Sequence, residues 1–235
     1  MAYVGGSHGE VVASLFENNF SQSQGGAIDV AQFASPTFRD VTFLNNTGSV
    51  GGAFSMSNYA NVTAEGCRLA NNSATSHGGA VSVGDTSKLR VEYSAFVGNT
   101  AVSGGALFSN RESEVLLYQS NFTSNRAAFG GAFFASSFEI TAISNAVFFA
   151  NTAARGGALS FAPAIQPSVG AFMEDSMLLA NSAHEGGAIS LNDKALVVLN
   201  STLVFQNNAT RKGGGAQVAG LSTLYANDCI VAYAH

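Results

Sequence analysis

The chain has 235 residues, a formal net charge of −5 and only 11% charged residues. Soluble proteins average about 25% charged residues, so many outward-facing positions here must be small or uncharged. Long amphipathic helices, whose surfaces are rich in Lys and Glu, are therefore poorly supported. The negative charge and the lack of a basic run argue against nucleic acid or an anionic membrane surface as the partner.

The termini and the hydropathy pattern say little about anchoring. No stretch approaches the roughly 18 apolar residues of a membrane-spanning helix, and residues 1–6 lack the basic and apolar regions of a signal peptide. We expect no direct membrane span in this chain. We interpret residues 1–235 as a single repeat domain and expect it to be a segment of a longer protein.

A Gly-Gly-Ala triplet divides the chain into units of similar length. Its spacings are 26, 27, 26, 26, 26, 30 and 28 residues, and the copies begin at Gly25, Gly51, Gly78, Gly104, Gly130, Gly156, Gly186 and Gly214. A repeat at a nearly fixed period indicates an array of stacked units.

A second motif lies between the triplets, an apolar residue followed three positions later by Asn. The pairs are Phe16/Asn19, Phe43/Asn46, Leu69/Asn72, Phe96/Asn99, Phe122/Asn125, Phe148/Asn151, Leu178/Asn181 and Phe205/Asn208. Both motifs recur in register along the chain, which chance does not produce.

The residue types identify the kind of repeat. Two adjacent glycines in every unit oppose a helical repeat, because each costs about 1 kcal/mol relative to Ala inside a helix. Short alternating apolar runs instead predict strands. The fold class is therefore all-β, a single-stranded parallel β-helix of about eight to nine coils with ~26–27 residues per coil.

The strand after each triplet alternates between two faces. One row of side chains is mostly apolar and suits the core, for example Ile28/Val30, Val81/Val83 and Ile189/Leu191. The intervening row is more polar, and we expect it to face outward; it comprises Asp29, Ser55, Ser82, Phe108, Phe134, Ser160, Ser190 and Val218.

Stacked coils place equivalent residues above one another, so each motif position becomes a ladder along the molecule. Glycine suits a turn with positive φ or a close approach between coils. Asn at a turn can adopt a left-handed conformation and use its amide to satisfy the backbone or other Asn side chains. We therefore expect a structural ladder of Asn19, Asn46, Asn72, Asn99, Asn125, Asn151, Asn181 and Asn208.

The two cysteines are not expected to form a disulfide. Cys67 and Cys229 lie six coils apart in this arrangement. At ~4.8 Å per strand the distance between them is ~30 Å, which no disulfide can span.

The paired motifs resemble the repeats of the chlamydial polymorphic outer membrane proteins. Gly-Gly-Ala-Ile is intact at residues 25–28 and 186–189, and the Phe-x-x-Asn pairs accompany it through nearly the whole chain. The resemblance implies a secreted right-handed β-helix used in adhesion, located in the outer membrane if the organism is bacterial. Right-handed crossovers between parallel strands favour the same hand. Leu69 and Leu178 depart from Phe, and residues 1–235 include no recognisable autotransporter barrel, so we expect the chain to be a passenger-like segment.

A polysaccharide-active enzyme is the alternative interpretation, because many β-helices act on acidic polysaccharides. Counting back four residues from the apolar residue of each pair gives the row Val12, Arg39, Glu65, Glu92, Tyr118, Ser144, Glu174 and Ser201. Glu65 and Glu92 are then neighbours, with Arg39 beside Glu65 and Arg90 beside Glu92. Converging carboxylates could attract a cation or perform acid–base chemistry, but a solvated ion-pair cluster is the simpler interpretation.

An aromatic group provides the candidate binding site. Phe108 and Phe134 lie in the row assigned outward, in consecutive coils, with Phe129 just before a turn. An exposed aromatic pair could contact a partner. The alternative is that the face assignment is locally wrong or that another segment covers these rings.

The remaining candidates carry no chemistry. His8, His77 and His184 fall in different coils, so no metal site and no cofactor are expected. Arg155 and Glu185 occupy equivalent positions and predict a cross-coil salt bridge. Glycosylation sequons occur at Asn45, Asn61, Asn71, Asn121, Asn200 and Asn208.

The sequence therefore predicts a non-catalytic extracellular or cell-surface module that acts in adhesion or surface display. Its partner is expected to be a cell-surface protein or a glycan. The enzyme alternative would require the residues around Glu65 and Glu92 to form a groove.

Overall fold

The computed structural model describes residues 1–136, 141–162 and 168–232, with only the backbone described at 168–170. Within these ranges the chain contains strands and turns and no helix, and therefore no helix that could cross a membrane. Three parallel sheets have nine strands each, and successive strands along the chain go to successive sheets. The prediction of an all-β parallel solenoid of about eight turns is confirmed.

The strands of the three sheets follow one another in a fixed order in every coil. Sheet A comprises Ala2–Tyr3, Ile28–Ala31, Phe54–Ser57, Val81–Val83, Leu107–Ser109, Phe133–Ala135, Leu159–Phe161, Ile189–Leu191 and Ala216–Val218. Sheet B comprises His8–Val12, Ser35–Arg39, Asn61–Glu65, Lys88–Glu92, Glu114–Tyr118, Thr141–Ser144, Ser168–Glu174, Ala195–Asn200 and Thr223–Asn227. Sheet C comprises Leu15–Glu17, Thr42–Leu44, Arg68–Ala70, Ala95–Val97, Asn121–Thr123, Val147–Phe149, Met177–Leu179, Leu203–Phe205 and Ile230–Ala232. Between sheet C and the next sheet A strand lie four corner strands, Thr47–Val50, Ser73–His77, Ser182–Glu185 and Asn208–Lys212.

The core is built from columns of equivalent residues, because each strand pairs in register with its counterpart one coil away. In sheet C, Phe96 pairs with Leu69 on one side and with Phe122 on the other. The Phe96 and Phe122 rings stack with centroids 4.6 Å apart, and Phe122 and Phe148 at 4.8 Å. Burying each such side chain contributes about 1.5–3 kcal/mol. The apolar residue of the Asn motif is thus the inward residue of sheet C.

The Asn ladder satisfies the polar atoms of its buried amides. The Nδ2 group of Asn99 donates to Oδ1 of Asn125 and to the backbone carbonyl of Leu69, both at 2.9 Å. The backbone N–H of Asn99 donates to the same Oδ1, also at 2.9 Å. The predicted Asn ladder is present from Asn19 to Asn181.

The ladder residues lie inside the coil, and their backbone differs from the left-handed conformation considered for them. Asn46 is 0% exposed and Asn72 is 1% exposed, and Nδ2 of Asn46 donates to Oδ1 of Asn72 at 3.0 Å. Positive φ occurs instead at the residues that precede them, Asn45 (54°) and Asn71 (53°). The expectation of a left-handed Asn46 or Asn72 was therefore wrong, because the turn bends one residue earlier and leaves the ladder amide directed inward. Buried amides such as these can serve the stack but cannot contact a partner.

The last coil is displaced by one residue from the predicted frame. Asn207, not Asn208, accepts the hydrogen bonds of Asn181 at 2.9 Å, and Asn208 is exposed. Val204, not Phe205, pairs with Leu178 and is buried. The triplet of this coil accordingly begins at Gly213, which has φ 63° like Gly186 at 64°. The assignments of Asn208, Phe205 and Gly214 were therefore wrong.

Most of the intervening row of sheet A is buried, which corrects the prediction that it faces solvent; Asp29 and Phe134 are half-buried. Ser55, Ser82, Ser160 and Ser190 are all at most 5% exposed. Two of these serines have hydrogen bonds along the row: Ser55 Oγ donates to Asp29 Oδ1 at 2.7 Å, and Ser190 Oγ donates to Gln217 Oε1 at 3.0 Å. The last member is Gln217, which pairs with Ser190, so Val218 was also misassigned.

The second glycine of each triplet from Gly26 to Gly187 lies against the next coil. A Cβ built on Gly131 would come within 2.1 Å of the carbonyl oxygen of Gly157 and 2.8 Å of the Thr152 backbone. The preceding Gly130 has φ 60°, a left-handed conformation that disfavours other residues. The triplet thus combines one conformational requirement with one steric requirement.

The two cysteines should react very differently with thiol reagents. Both are free, as predicted; Cys67 is buried and Cys229 is partly exposed. Burial raises the pKa of the Cys67 thiol to about 11. The reactive thiolate of Cys67 is therefore scarce at neutral pH. We expect an aromatic disulfide reagent to titrate one thiol in the native protein and two in denaturant; rapid native labelling of both would contradict the buried position.

Candidate functional site

The outer face of sheet B carries two parallel columns of side chains. One column contains Arg90, Leu116, Ala142 and Phe172 in successive coils, because these residues pair directly across neighbouring strands. The second column contains Glu92, Tyr118, Ser144, Glu174 and Asn200. This second column is the row predicted to hold Glu65 and Glu92. Its last member is Asn200 rather than Ser201, owing to the shifted frame of the last coil.

The predicted neighbours Arg39, Glu65 and Glu92 do lie in adjacent coils. Arg39 donates to Glu65 Oε2 at 3.1 Å and is also ion-paired with Glu10. The hydrogen bond to Glu65, followed by the charge of Glu10, raises the pKa of Arg39. Arg90 is ion-paired with Glu92 on the same strand. The charges of these arginines and glutamates are thus largely compensated by ion pairs on the outer face of sheet B.

A recess begins where the ion pairs end. It has a volume of about 470 Å³. We call it the sheet B groove; its outward lining residues are Arg90, Glu92, Leu116, Tyr118, Ala142, Ser144, Phe172, Glu174 and Asn200. Its floor consists of the small side chains Ala142 and Ser144, and its walls are the larger side chains one coil to either side. The groove therefore arises because a single coil has small residues in both columns.

The spacing of the coils sets the width of the groove. Strands one coil apart are separated by ~4.8 Å, so the Leu116 and Phe172 backbones on either side of Ala142 lie roughly 10 Å apart. In the core of this solenoid, rings in neighbouring coils stack 4.6–4.8 Å apart. A gap of one coil therefore leaves room for one ring-sized group between the walls. Phe172 is 44% exposed and Tyr118 36% exposed, so both can contact such a group.

The rim of the groove offers acceptors and donors of hydrogen bonds. Glu174 is exposed, and among the described residues no cation pairs with it. Ser144 Oγ accepts from Asn145 at 2.9 Å and Asn200 Oδ1 from Asn227 at 2.9 Å. Apolar walls with polar groups at their edge are the general composition of a small-ligand site.

The predicted aromatic site is only partly accessible. Phe108 is 4% exposed, because the His77 ring stacks on it with centroids 4.4 Å apart. The prediction that Phe108 is exposed was therefore wrong. Phe134 stacks on Phe108 at 5.8 Å, and Phe129 packs against Phe134 at 6.1 Å. Phe129 and Phe134 are half-buried, and their role in binding stays a prediction.

The histidines lie apart, as predicted. His8 Nδ1 contacts Ser35 Oγ at 2.9 Å, whereas His184 Nδ1 contacts Thr210 Oγ1 at 2.9 Å. Within the described ranges, no three His, Cys, Asp or Glu side chains are grouped so that they could hold a metal ion. The predicted salt bridge is confirmed, with Arg155 Nε 3.5 Å from Glu185 Oε2.

Sequence reasoning missed the groove although it identified one of its columns. Tyr118, Ser144 and Glu174 were all in the predicted row. The sizes of these side chains were not compared, coil by coil, with those of Leu116, Ala142 and Phe172 in the other column. Aligning both columns coil by coil would have revealed the signal, which is a coil with two small residues between coils with large ones.

Comparison with known proteins supports the architecture. No curated protein and no solved structure gives a significant match to this chain. The family model described as the right-handed β-helix region matches residues 2–147, which is more than half of the chain. The parallel coils and in-register ladders described above are those of such a helix. The chain therefore belongs to the right-handed β-helix family.

Proposed function

We propose that the chain is a non-catalytic β-helix module of an extracellular surface protein, acting in adhesion or surface display. The sheet B groove carries this proposal, because it offers an exposed recess with apolar walls on a rigid ladder face. The glycines and asparagines of the repeat serve the stack itself. Binding is therefore assigned to outward side chains, which can vary without disturbing the coil.

The resemblance to the polymorphic outer membrane proteins supports the surface location. The repeat motifs of that family run through nearly the whole chain. Five of the six sequons named above have exposed Asn side chains, the exception being Asn200. A glycosylated extracellular segment is compatible with that arrangement.

We further propose a neutral or amino sugar of a cell-surface glycan as the occupant of the sheet B groove. The apolar face of a sugar ring fits between Leu116 and Phe172, and its hydroxyl groups can bond with Tyr118 and Glu174. Glu174 at the rim, with which no cation pairs among the described residues, disfavours an acidic sugar at this position, whereas the charge of Glu92 is compensated by Arg90.

Filling the groove should abolish glycan binding. The substitution Ala142→Phe places a ring in the gap between Leu116 and Phe172, and we expect at least ~10-fold weaker binding to a glycan array and to cells, which is about 1.4 kcal/mol. The matched control is Ala95→Phe, since Ala95 is also an outward Ala of a strand, in sheet C. Equal effects of the two substitutions would remove the groove from the proposal.

The second candidate function is a polysaccharide lyase or hydrolase. The backbones of Glu65 and Glu92 lie in adjacent coils, ~4.8 Å apart, and retaining glycosidases have two carboxyl groups about 5 Å apart. Glu92 and Glu174, which both line the groove, are three coils or ~14 Å apart in the backbone. Both Glu65 and Glu92 are ion-paired, which favours binding over catalysis.

The two functions are separated by assaying bound polysaccharides for new reducing or unsaturated ends. We expect binding without product. Product formation by the native chain that is lost in both Glu65→Gln and Glu92→Gln, with binding retained, would establish the enzyme instead.

A further inference from the structure

Positive charge is concentrated at one corner of the solenoid. The segment between the Asn ladder and the Gly-Gly turn contributes, in four successive coils, residues 126–129, 152–155, 182–185 and 208–212, which we call the basic corner. It contains four of the ten Lys and Arg residues, Arg126, Arg155, Arg211 and Lys212, and one carboxylate, Glu185. Its formal charge of +3 contrasts with −5 for the whole chain.

The basic corner contains a groove of about 370 Å³. Its floor is formed by Ala127, Ala153 and Ala154, and Arg126 and His184 lie at its edges with Thr152. Backbone bridges join Arg126 to Thr152 and Thr152 to Ser182, so these residues lie one coil apart. The small floor residues allow a ligand to approach the corner closely.

Arg155 is held in place between two neighbours. Its guanidinium carbon lies 5.7 Å from the centroid of the Phe129 ring, and Nε lies 3.5 Å from Glu185. Arg126, Arg211 and Lys212 are exposed, and no ion pair involves them within the described ranges. The single carboxylate of the corner is thus occupied, while three cations point to solvent.

We propose that the basic corner binds an acidic polysaccharide, through its sulfate or carboxylate groups. Successive anionic groups along the polymer contact Arg126, Arg211 and Lys212, and the hydroxyl groups of Thr152 and Thr210 lie beside them. Arg126 is separated from Arg211 and Lys212 by three coil spacings, or ~14 Å along the axis, which is the scale of a few sugar residues. This site rests on the proposed function in taking its ligand from a cell surface, but it is separate from the sheet B groove.

The corner suits a polysaccharide better than a nucleic acid. A duplex is about 12 Å wide at its major groove alone, so it would extend over the adjoining sheet A and sheet C strands of these coils, which contain no Lys or Arg to contact its phosphates. Single-stranded nucleic acid is bound by exposed aromatic platforms for its bases. The aromatic ring of the corner, Phe129, is half-buried and lies against Arg155 and Phe134.

The test measures binding of the whole chain to immobilised probes by surface plasmon resonance. The probes are a heparin-type sulfated oligosaccharide, its desulfated form, polygalacturonate and polyuridylate. Arg126→Gln and the double variant Arg211→Gln with Lys212→Gln are compared with Arg68→Gln, an exposed arginine of sheet C. We expect the corner variants to bind at least ~5-fold more weakly and with a shallower salt dependence, and Arg68→Gln to bind within ~2-fold of the native chain.

The outcomes separate this site from the proposed function. If the native chain binds the sulfated probe alone, the group recognised is a sulfate; if it binds both acidic probes, a sulfate or a carboxylate is sufficient. In either case the corner variants must lose this binding. If Arg68→Gln weakened binding as much as the corner variants do, net charge alone would explain the effect and the site would be overturned. Binding of polyuridylate as tight as that of the acidic polysaccharides would overturn it too. If no acidic probe binds while Ala142→Phe still abolishes attachment to cells, the basic corner fails and the adhesion proposal stands.

Discussion

Replacing Gly131 with alanine is expected to lower the free energy of unfolding by at least ~4 kcal/mol, or to prevent folding of the central coils. The added Cβ would lie 2.1 Å from the carbonyl oxygen of Gly157, a backbone atom of the next coil. Relief would require the two coils to separate, and their backbone hydrogen bonds would be lost with them. Chemical denaturation followed by circular dichroism measures the change.

The chain provides a matched control at the equivalent position of the last described triplet. A Cβ on Gly214 would have one neighbour within 4 Å, the Asn207 carbonyl oxygen at 3.3 Å. We expect Gly214→Ala to change the free energy of unfolding by less than ~1 kcal/mol. If both substitutions were equally harmful, close packing of coils would not be the reason for the glycine.

Replacing Asn125 with alanine is expected to lower the free energy of unfolding by about 4 kcal/mol. The change leaves the backbone N–H and the Nδ2 group of Asn99 without their acceptor. It also removes the donor to Asn151 Oδ1 and to the Phe96 carbonyl. Each buried group left unsatisfied costs about 1–3 kcal/mol, and a cavity forms as well.

Asn121 serves as the control, because it is an exposed Asn of the same coil. Asn121→Ala should shift the denaturation midpoint little, consistent with the ±0.5 kcal/mol usual at surface sites. A loss of less than ~1 kcal/mol in Asn125→Ala would mean that the ladder amides recover other partners when one member is removed.

The coil pattern could be predicted from the sequence because its motifs are strictly spaced. The inward residues of sheet C and the members of the Asn ladder were correct through Asn181, although the left-handed residue of the turn was placed one position too late. The predicted register of the repeat was wrong by one residue in the last coil, where three glycines precede Ala216. The Gly-Gly-Ala motif can be matched there only from Gly214, although the turn begins at Gly213. The pairings of Asn207 with Asn181 and of Val204 with Leu178 decide between the two frames, and those contacts are not visible in the local sequence.

The surface was less predictable because it depends on neighbours from other coils. Alternation correctly separated the two faces of sheet A, but it could not reveal that the second face is covered. His77 and Phe108 are 31 positions apart in the chain yet stack directly. The sheet B groove likewise depends on the relative sizes of side chains in three coils, and the basic corner depends on cations from three coils.

The Asn ladder also gives the solenoid an electric dipole along its axis. Each ladder Nδ2 group from Asn19 to Asn181 donates to the Oδ1 of the following coil, and Asn207 is the last acceptor. The amide dipoles are therefore aligned head to tail, with their positive ends toward the C-terminal coils, and each polarises the next. Within each strand, successive peptide dipoles point in opposite directions along the axis, so the sheets contribute little. A row of side chains thus acts for this molecule as the backbone does for an α-helix, and it makes the two ends of the stack electrostatically unequal.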